Sequence, residues 1–121
     1  MPTPSGNPEP LSSLTMAILI ALAGEDLHGY ALMQEIEQQS GGALKPGTGS
    51  LYTALQRLMD DDLIGESKDR PRPDEDQRRR FYTLTEGGRR AARMEAARLA
   101  RVLRTAHGKQ LTADLPVEPV P

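Results

Sequence analysis

The sequence predicts a mainly α-helical domain that carries one small β-hairpin. Helical spacing of apolar residues recurs in three stretches before residue 62. Two short strand-like runs follow, at 63–67 and 80–84, and a last run rich in Ala, Arg and Leu extends from 86 to about 107. A helix offering short polar groups, placed directly after another helix and directly before a hairpin, is the order of a winged helix-turn-helix.

The elements follow in chain order. Pro2, Pro4, Pro8 and Pro10 leave residues 1–10 as a disordered tail. From Leu11 to Ala23 the residues Leu14, Met16, Ala17, Ile18, Leu19, Ile20, Ala21 and Leu22 are apolar nearly all round a helix, so this helix is expected to be buried. The run Ala21-Leu22-Ala23 resembles a secretory cleavage site, but no Lys or Arg precedes Lys45, so the positive leading region is missing. The apolar run is also too short to span a bilayer. No membrane partner is expected, and a cytoplasmic location is.

Residues 28–40 form a second amphipathic helix with Tyr30, Leu32, Met33 and Ile36 as its apolar side, stopped at Gly41-Gly42. A short linker containing Lys45-Pro46 leads to the third helix. At ~100° per residue Leu51, Leu55, Leu58 and Met59 share one side, and Gly49, Thr53, Gln56, Arg57 and Asp60 lie opposite. Thr48 or Ser50 is expected to cap its start, and exposed N–H groups there suit a phosphate oxygen. Alone, this reads as an ordinary surface helix; its neighbours make it the second helix of a helix-turn-helix, with Ser50 and Thr53 expected nearest the bases. Tyr52 either rests its ring at the helix edge with the hydroxyl free, or packs wholly in the core.

Leu63–Ser67 and Arg80–Leu84 pair as strands, Phe81 and Tyr82 having the aromatic character strands favour. Lys68–Gln77, with Pro71, Pro73 and three consecutive acids, is an exposed loop. Alternation places Arg78 and Arg80 on one face near the duplex backbone, while Arg70 and Arg72 reach a minor groove or stand in solvent. Thr85 caps the last helix, which would be ~33 Å long and which Gly108 stops. Its Ala92, Leu99, Val102, Leu103 and Ala106 form an apolar stripe that a monomer has little to cover, so a second subunit is expected there together with the first helix, through Leu14 and Ile18. The chain thus divides into a tail (1–10), a DNA-binding winged domain (11–84), a dimerisation helix (85–107) and a second tail (108–121).

Charge is distributed rather than balanced. Residues 1–44 hold five acids and no base, 45–84 hold eight of each, and 85–110 hold seven bases against two acids, within a net charge of −2. Local potential, more than net charge, steers association with nucleic acid. The arginines of the last helix can also be a plain solvated face. Catalysis and cofactors find no support: there is no Cys, and His28 and His107 lie far apart in sequence. Asp60-Asp61-Asp62 reads as the turn that ends a helix, the Gly42–Gly47 loop lacks the Lys of a phosphate loop, and His28 reads as a residue that caps or packs a helix start. Four Phe and Tyr residues without Trp give no stacking platform for single strands, and Tyr30 and Tyr82 are assigned to the core.

The chain resembles the PadR family of transcriptional regulators over roughly residues 11–107. The resemblance is carried by Leu27-His28-Gly29-Tyr30, Gly41-Gly42, Pro46-Gly47-Thr48-Gly49-Ser50-Leu51-Tyr52, Leu55-Gln56-Arg57-Leu58, Leu63-Ile64 and Arg79-Arg80-Phe81-Tyr82-Thr83-Leu84-Thr85-Glu86-Gly87-Gly88. It implies a winged helix-turn-helix of the short subfamily with a single C-terminal helix, dimerisation through that helix, repression of transcription, and in some members relief by a small-molecule effector between subunits. The Pro- and Asp-rich wing departs from the family pattern. The expectation is a homodimer that binds double-stranded DNA at an inverted repeat through Thr48, Ser50, Tyr52, Thr53, Gln56 and Arg57, with the wing arginines. The alternative is a winged-helix module that binds protein and not DNA.

Overall fold

The first helix begins where Ser12 accepts the Thr15 N–H on its hydroxyl oxygen at 3.1 Å. The structure, a computed structural model, describes residues 9–67 and 80–115. Its elements are α1 (Ser13–Gly24), β1 (Leu27–His28), α2 (Gly29–Gln39), α3 (Thr48–Asp60), β2 (Ile64–Ser67), β3 (Phe81–Leu84) and α4 (Glu86–Gly108). Helices dominate, with one small antiparallel sheet of order β1-β3-β2.

Helix α1 is the centre. Ala17, Ile18, Leu19, Ala21 and Leu22 are buried, and α1 packs against α2, α3, β3 and α4. The Gln39 amide donates to the Ala17 carbonyl at 3.1 Å, which ties the end of α2 to it. Around α1 the core is closed by Leu32, Ile36, Leu51, Leu55, Leu58, Ile64 and Tyr82.

His28 caps α2, its Nδ1 accepting the Ala31 N–H at 3.2 Å. Its ring meets Phe81 edge-on, with centroids 5.2 Å apart. The helix ends as the glycines predict. Gly41 and Gly42 have φ of +62° and +87°, and the Gly42 N–H returns to the Glu37 carbonyl at 2.8 Å. Ser40 then holds the linker by accepting the Leu44 N–H at 2.9 Å. One expectation for α2 fails: Tyr30 is 60% exposed. At ~100° per residue it sits ~160° from Leu32, so it cannot share that residue's buried side.

Helix α3 starts without a side-chain cap. Gly47 is the N-cap, so Thr48 and Ser50 are already helical and neither caps it. Its far end closes at Asp62, which has φ of 59°; Asp tolerates the left-handed region better than most residues. The Leu63 N–H bonds the Leu58 carbonyl at 3.0 Å.

Strands β2 and β3 pair in the register Ile64↔Leu84 to Ser67↔Phe81. The short β1 adds Leu27↔Tyr82 and His28↔Phe81 on the other edge of β3. That third strand was not anticipated, because two residues are too few to show an alternating pattern. Burial pushes the Tyr82 phenol above its ordinary pKa.

Thr85 caps α4 as expected, accepting the Gly88 N–H at 3.0 Å and donating to the Asp62 carbonyl at 2.7 Å. The helix runs 23 residues. Gly108 does not stop it; it is the last helical residue, and Gln110, at φ 63°, takes the left-handed position. Gly88 lies flat on the chain between α3 and β2, where an added Cβ would collide with the Leu63 carbonyl oxygen and the Leu84 side chain. Gly88→Ala is therefore expected to destabilise the fold by about 2–3 kcal/mol in chemical denaturation. Gly108→Ala, with nothing nearby, should instead gain up to about 1 kcal/mol.

Candidate nucleic-acid interface

Burial of Leu51, Leu55 and Leu58 turns one face of α3 inward, which leaves Thr48, Ser50, Tyr52, Thr53, Gln56 and Arg57 exposed, with Asp60 beside them. All six α3 residues expected to meet DNA therefore share one accessible surface. Tyr52 fits neither expectation for it fully. It is 45% exposed, and its hydroxyl end rests against Gly29 so closely that a Cβ there would overlap it. The ring bridges from α3 to the start of α2.

One hydrogen bond organises the rest of this face. The Gln56 amide nitrogen donates to Asp60 Oδ1 at 3.0 Å. Among the described residues Arg57 forms no ion pair, although Asp60 and Asp61 follow within four residues. Arg57, Ser50 and Thr53 also line an open groove of about 730 Å³ against Ser12 and Thr15 at the start of α1. Arg80 stands exposed at the foot of β3, next to the Tyr82 phenol, whose pKa it draws back toward normal. Arg70, Arg72 and Arg78 lie outside the described residues.

The surface expected to meet a second subunit is only partly available. Leu99 and Val102 are 42% and 53% exposed, and Leu14, Ala92, Leu103 and Ala106 are half-buried. Ile18 is wholly inside the chain's own core and has no surface to offer, because α1 uses that side against its neighbours. Ile20, 48% exposed, is the large apolar residue of α1 that faces outward, and Met94, Leu111 and Leu115 add exposed apolar area.

Sequence reasoning missed Glu95. This carboxylate is 6% exposed and takes both the Nε and Nη2 of Arg98, at 2.9 and 2.7 Å. The Arg98 hydrogen bonds hold its pKa below the usual carboxylate range against the opposing effect of burial, and the Leu11 N–H adds to that lowering. Its signal was available: it is the one acid within α4 beyond the first residue, on the inward stripe, with Arg98 one turn later.

Among the described residues no group of His, Asp and Glu is arranged to hold a metal, and no helix is long and apolar enough to cross a membrane. Residues 18–94 match the family described as transcriptional regulator PadR-like. The chain belongs to the PadR-like family. By this family it is a transcriptional regulator.

Solved structures agree on its fold. A PadR family transcription regulator from Clostridium difficile superposes with a TM-score of 0.68 at 18% identity, covering 82% of this chain and 99% of the other. RosR from H. salinarum gives 0.62 at 25% identity, covering 86% and 92%. In sequence the regulator is 46% identical over 88 residues to an uncharacterized 37.1 kDa transposon protein from Streptomyces fradiae. That match covers 72% of this chain and 23% of the relative, so the regulator spans about a quarter of that protein's length.

The Glu95 clasp carries a pH signature. Its carboxyl is held below the ordinary value of 4.5, so the clasp stabilises fully above that value and is lost as pH falls through the lower folded pKa. Glu95→Gln should lower the melting temperature at neutral pH. The gap from the unsubstituted protein should close as the solution is acidified past the ordinary glutamate range. A gap of constant size across that range would show that the carboxylate's charge is not what holds this position.

Proposed function

We propose that this regulator is a homodimeric, cytoplasmic repressor that reads an inverted-repeat operator with α3. The observation that carries the reading is the composition of the α3 face: hydroxyls, an amide and one guanidinium stand outward, while the opposite side is committed to the core. Such groups match base-edge donors and acceptors in the major groove. Thr48, Ser50, Tyr52, Thr53, Gln56 and Arg57 supply the contacts, Arg78 and Arg80 flank them against the phosphates, and Arg70 and Arg72 reach toward a minor groove. The second subunit covers Leu99, Val102, Leu103 and Ala106. Two-fold symmetry then sets the two reading helices about one DNA turn apart. A small-molecule effector between the subunits would relieve repression by changing that spacing.

Mobility-shift titration against DNA upstream of the regulator's own gene tests the first part. Arg57→Ala should weaken binding by about 1–3 kcal/mol, and affinity should fall steeply with salt as phosphate counterions are released. Removing Arg78 and Arg80 together should flatten that salt dependence for all sequences alike. Wild-type binding by both Thr53→Ala and Arg57→Ala, with the fold intact, would remove α3 from the role of reader.

Assembly is tested by changing exposed side chains that leave the core untouched. Leu99→Asp with Val102→Asp should yield a monomer in light scattering and cost most of the affinity for an inverted repeat. A dimer of undiminished affinity would place the interface elsewhere.

A further inference from the structure

Gln56 and Asp60 stand one turn apart at the middle of the exposed α3 face; at ~100° per residue both lie within ~20° of Gly49. Their contact settles an orientation that an exposed amide otherwise leaves open. An ionised carboxylate accepts hydrogen bonds and cannot donate them. With Nε2 3.0 Å from Asp60 Oδ1, the Gln56 nitrogen must face Asp60 and its carbonyl oxygen must face away. One amide hydrogen is committed to Asp60. The other hydrogen and Oε1 remain side by side for a ligand.

Asp60 makes little sense as a helix-stabilising residue. It is the last residue of α3, where a negative charge opposes the helix dipole. It takes no cation among the described residues, although Arg57 is one turn away. Its visible work is to hold Gln56.

We infer that Asp60 is a specificity-positioning residue, holding Gln56 in the one amide orientation that reads adenine and rejects guanine. In the major groove adenine presents an acceptor, N7, beside a donor, the N6 amino group, whereas guanine presents two acceptors, N7 and O6. The remaining Gln56 N–H and Oε1 complement the first pair. Against guanine, Oε1 meets O6, and an amide fixed by Asp60 cannot turn to relieve the conflict. The Asp60 charge also penalises loose attachment to phosphate, so non-specific binding is weakened by the residue that sharpens the reading.

The inference rests on α3 being the helix that enters the groove, and the experiment separates the two. Random duplexes are enriched on the unsubstituted chain. The selected site is then titrated with adenine changed to guanine one position at a time, using the unsubstituted protein, Asp60→Asn, Gln56→Ala and Thr53→Ala. All three residues are exposed, and circular dichroism confirms that the variants fold.

One position per half-site should prefer adenine by roughly tenfold or more. Asp60→Asn and Gln56→Ala should both reduce that preference to within about threefold and leave other positions unchanged. Asp60→Asn should in addition bind unrelated duplex more tightly. Full retention of the preference in Asp60→Asn, or a Gln56→Ala profile identical to the unsubstituted protein's, overturns the inference. If Thr53→Ala alters specificity while the other two do not, α3 still reads DNA and only the role of the pair is lost. If no α3 variant alters specificity, the reading of α3 falls and the inference falls with it.

Discussion

A helix that is apolar on nearly every side has to be covered on nearly every side. That constraint, set by α1, organises the molecule. Each Å² of its apolar surface left in water would cost about 25 cal/mol, and α2, α3, α4 and β3 all pack on it. Helix α3 is placed by this requirement: Leu51, Leu55 and Leu58 turn inward to meet the core, and the polar residues between them are turned outward as a consequence. Ile20 is the large apolar side chain of α1 that remains exposed.

A second constraint joins α3 and α4. The turn that ends α3 is also the platform on which α4 begins. Asp62 adopts the left-handed conformation that closes α3, and its carbonyl then accepts the Thr85 hydroxyl that caps α4. The Thr85 N–H bonds the next carbonyl, Leu63, at 3.3 Å. Gly88 lies on that same carbonyl with no room for a side chain. The end of α3 and the start of α4 thus form one joint, built from hydrogen bonds and a close backbone approach. Farther along α4 the Glu95–Arg98 pair, with the Leu11 N–H, fastens the segment before α1 to the same helix.

Charge is unevenly distributed along this acidic chain. The acids of the first 44 residues lie apart in sequence from the bases that follow. On the α3 face the one guanidinium forms no ion pair among the described residues, while the neighbouring carboxylate is engaged by an amide. The field that a phosphate meets is local, and a net charge of −2 does not describe it.

Much of this was legible in the sequence. Periodicity placed the four helices, the glycines at 41 and 42 ended α2, Thr85 marked the start of α4, and the inward and outward faces of α3 followed from spacing alone. These are local properties, set within one or two turns of chain. What needed the tertiary structure was every question of which neighbour lies opposite. Strand β1 is two residues long and exists only because β3 offers a free edge. Tyr30 lost its place in the core because Leu32 and Ile36 define the buried side of α2. Ile18 proved to belong to the chain's own interior, and Ile20 to its surface, because an all-apolar helix does not say which sides its neighbours will take. Glu95 reads as one more surface acid until Arg98 and the Leu11 N–H are seen around it. Periodicity fixes which residues share a side; only packing decides what that side faces, because the partners come from distant parts of the chain.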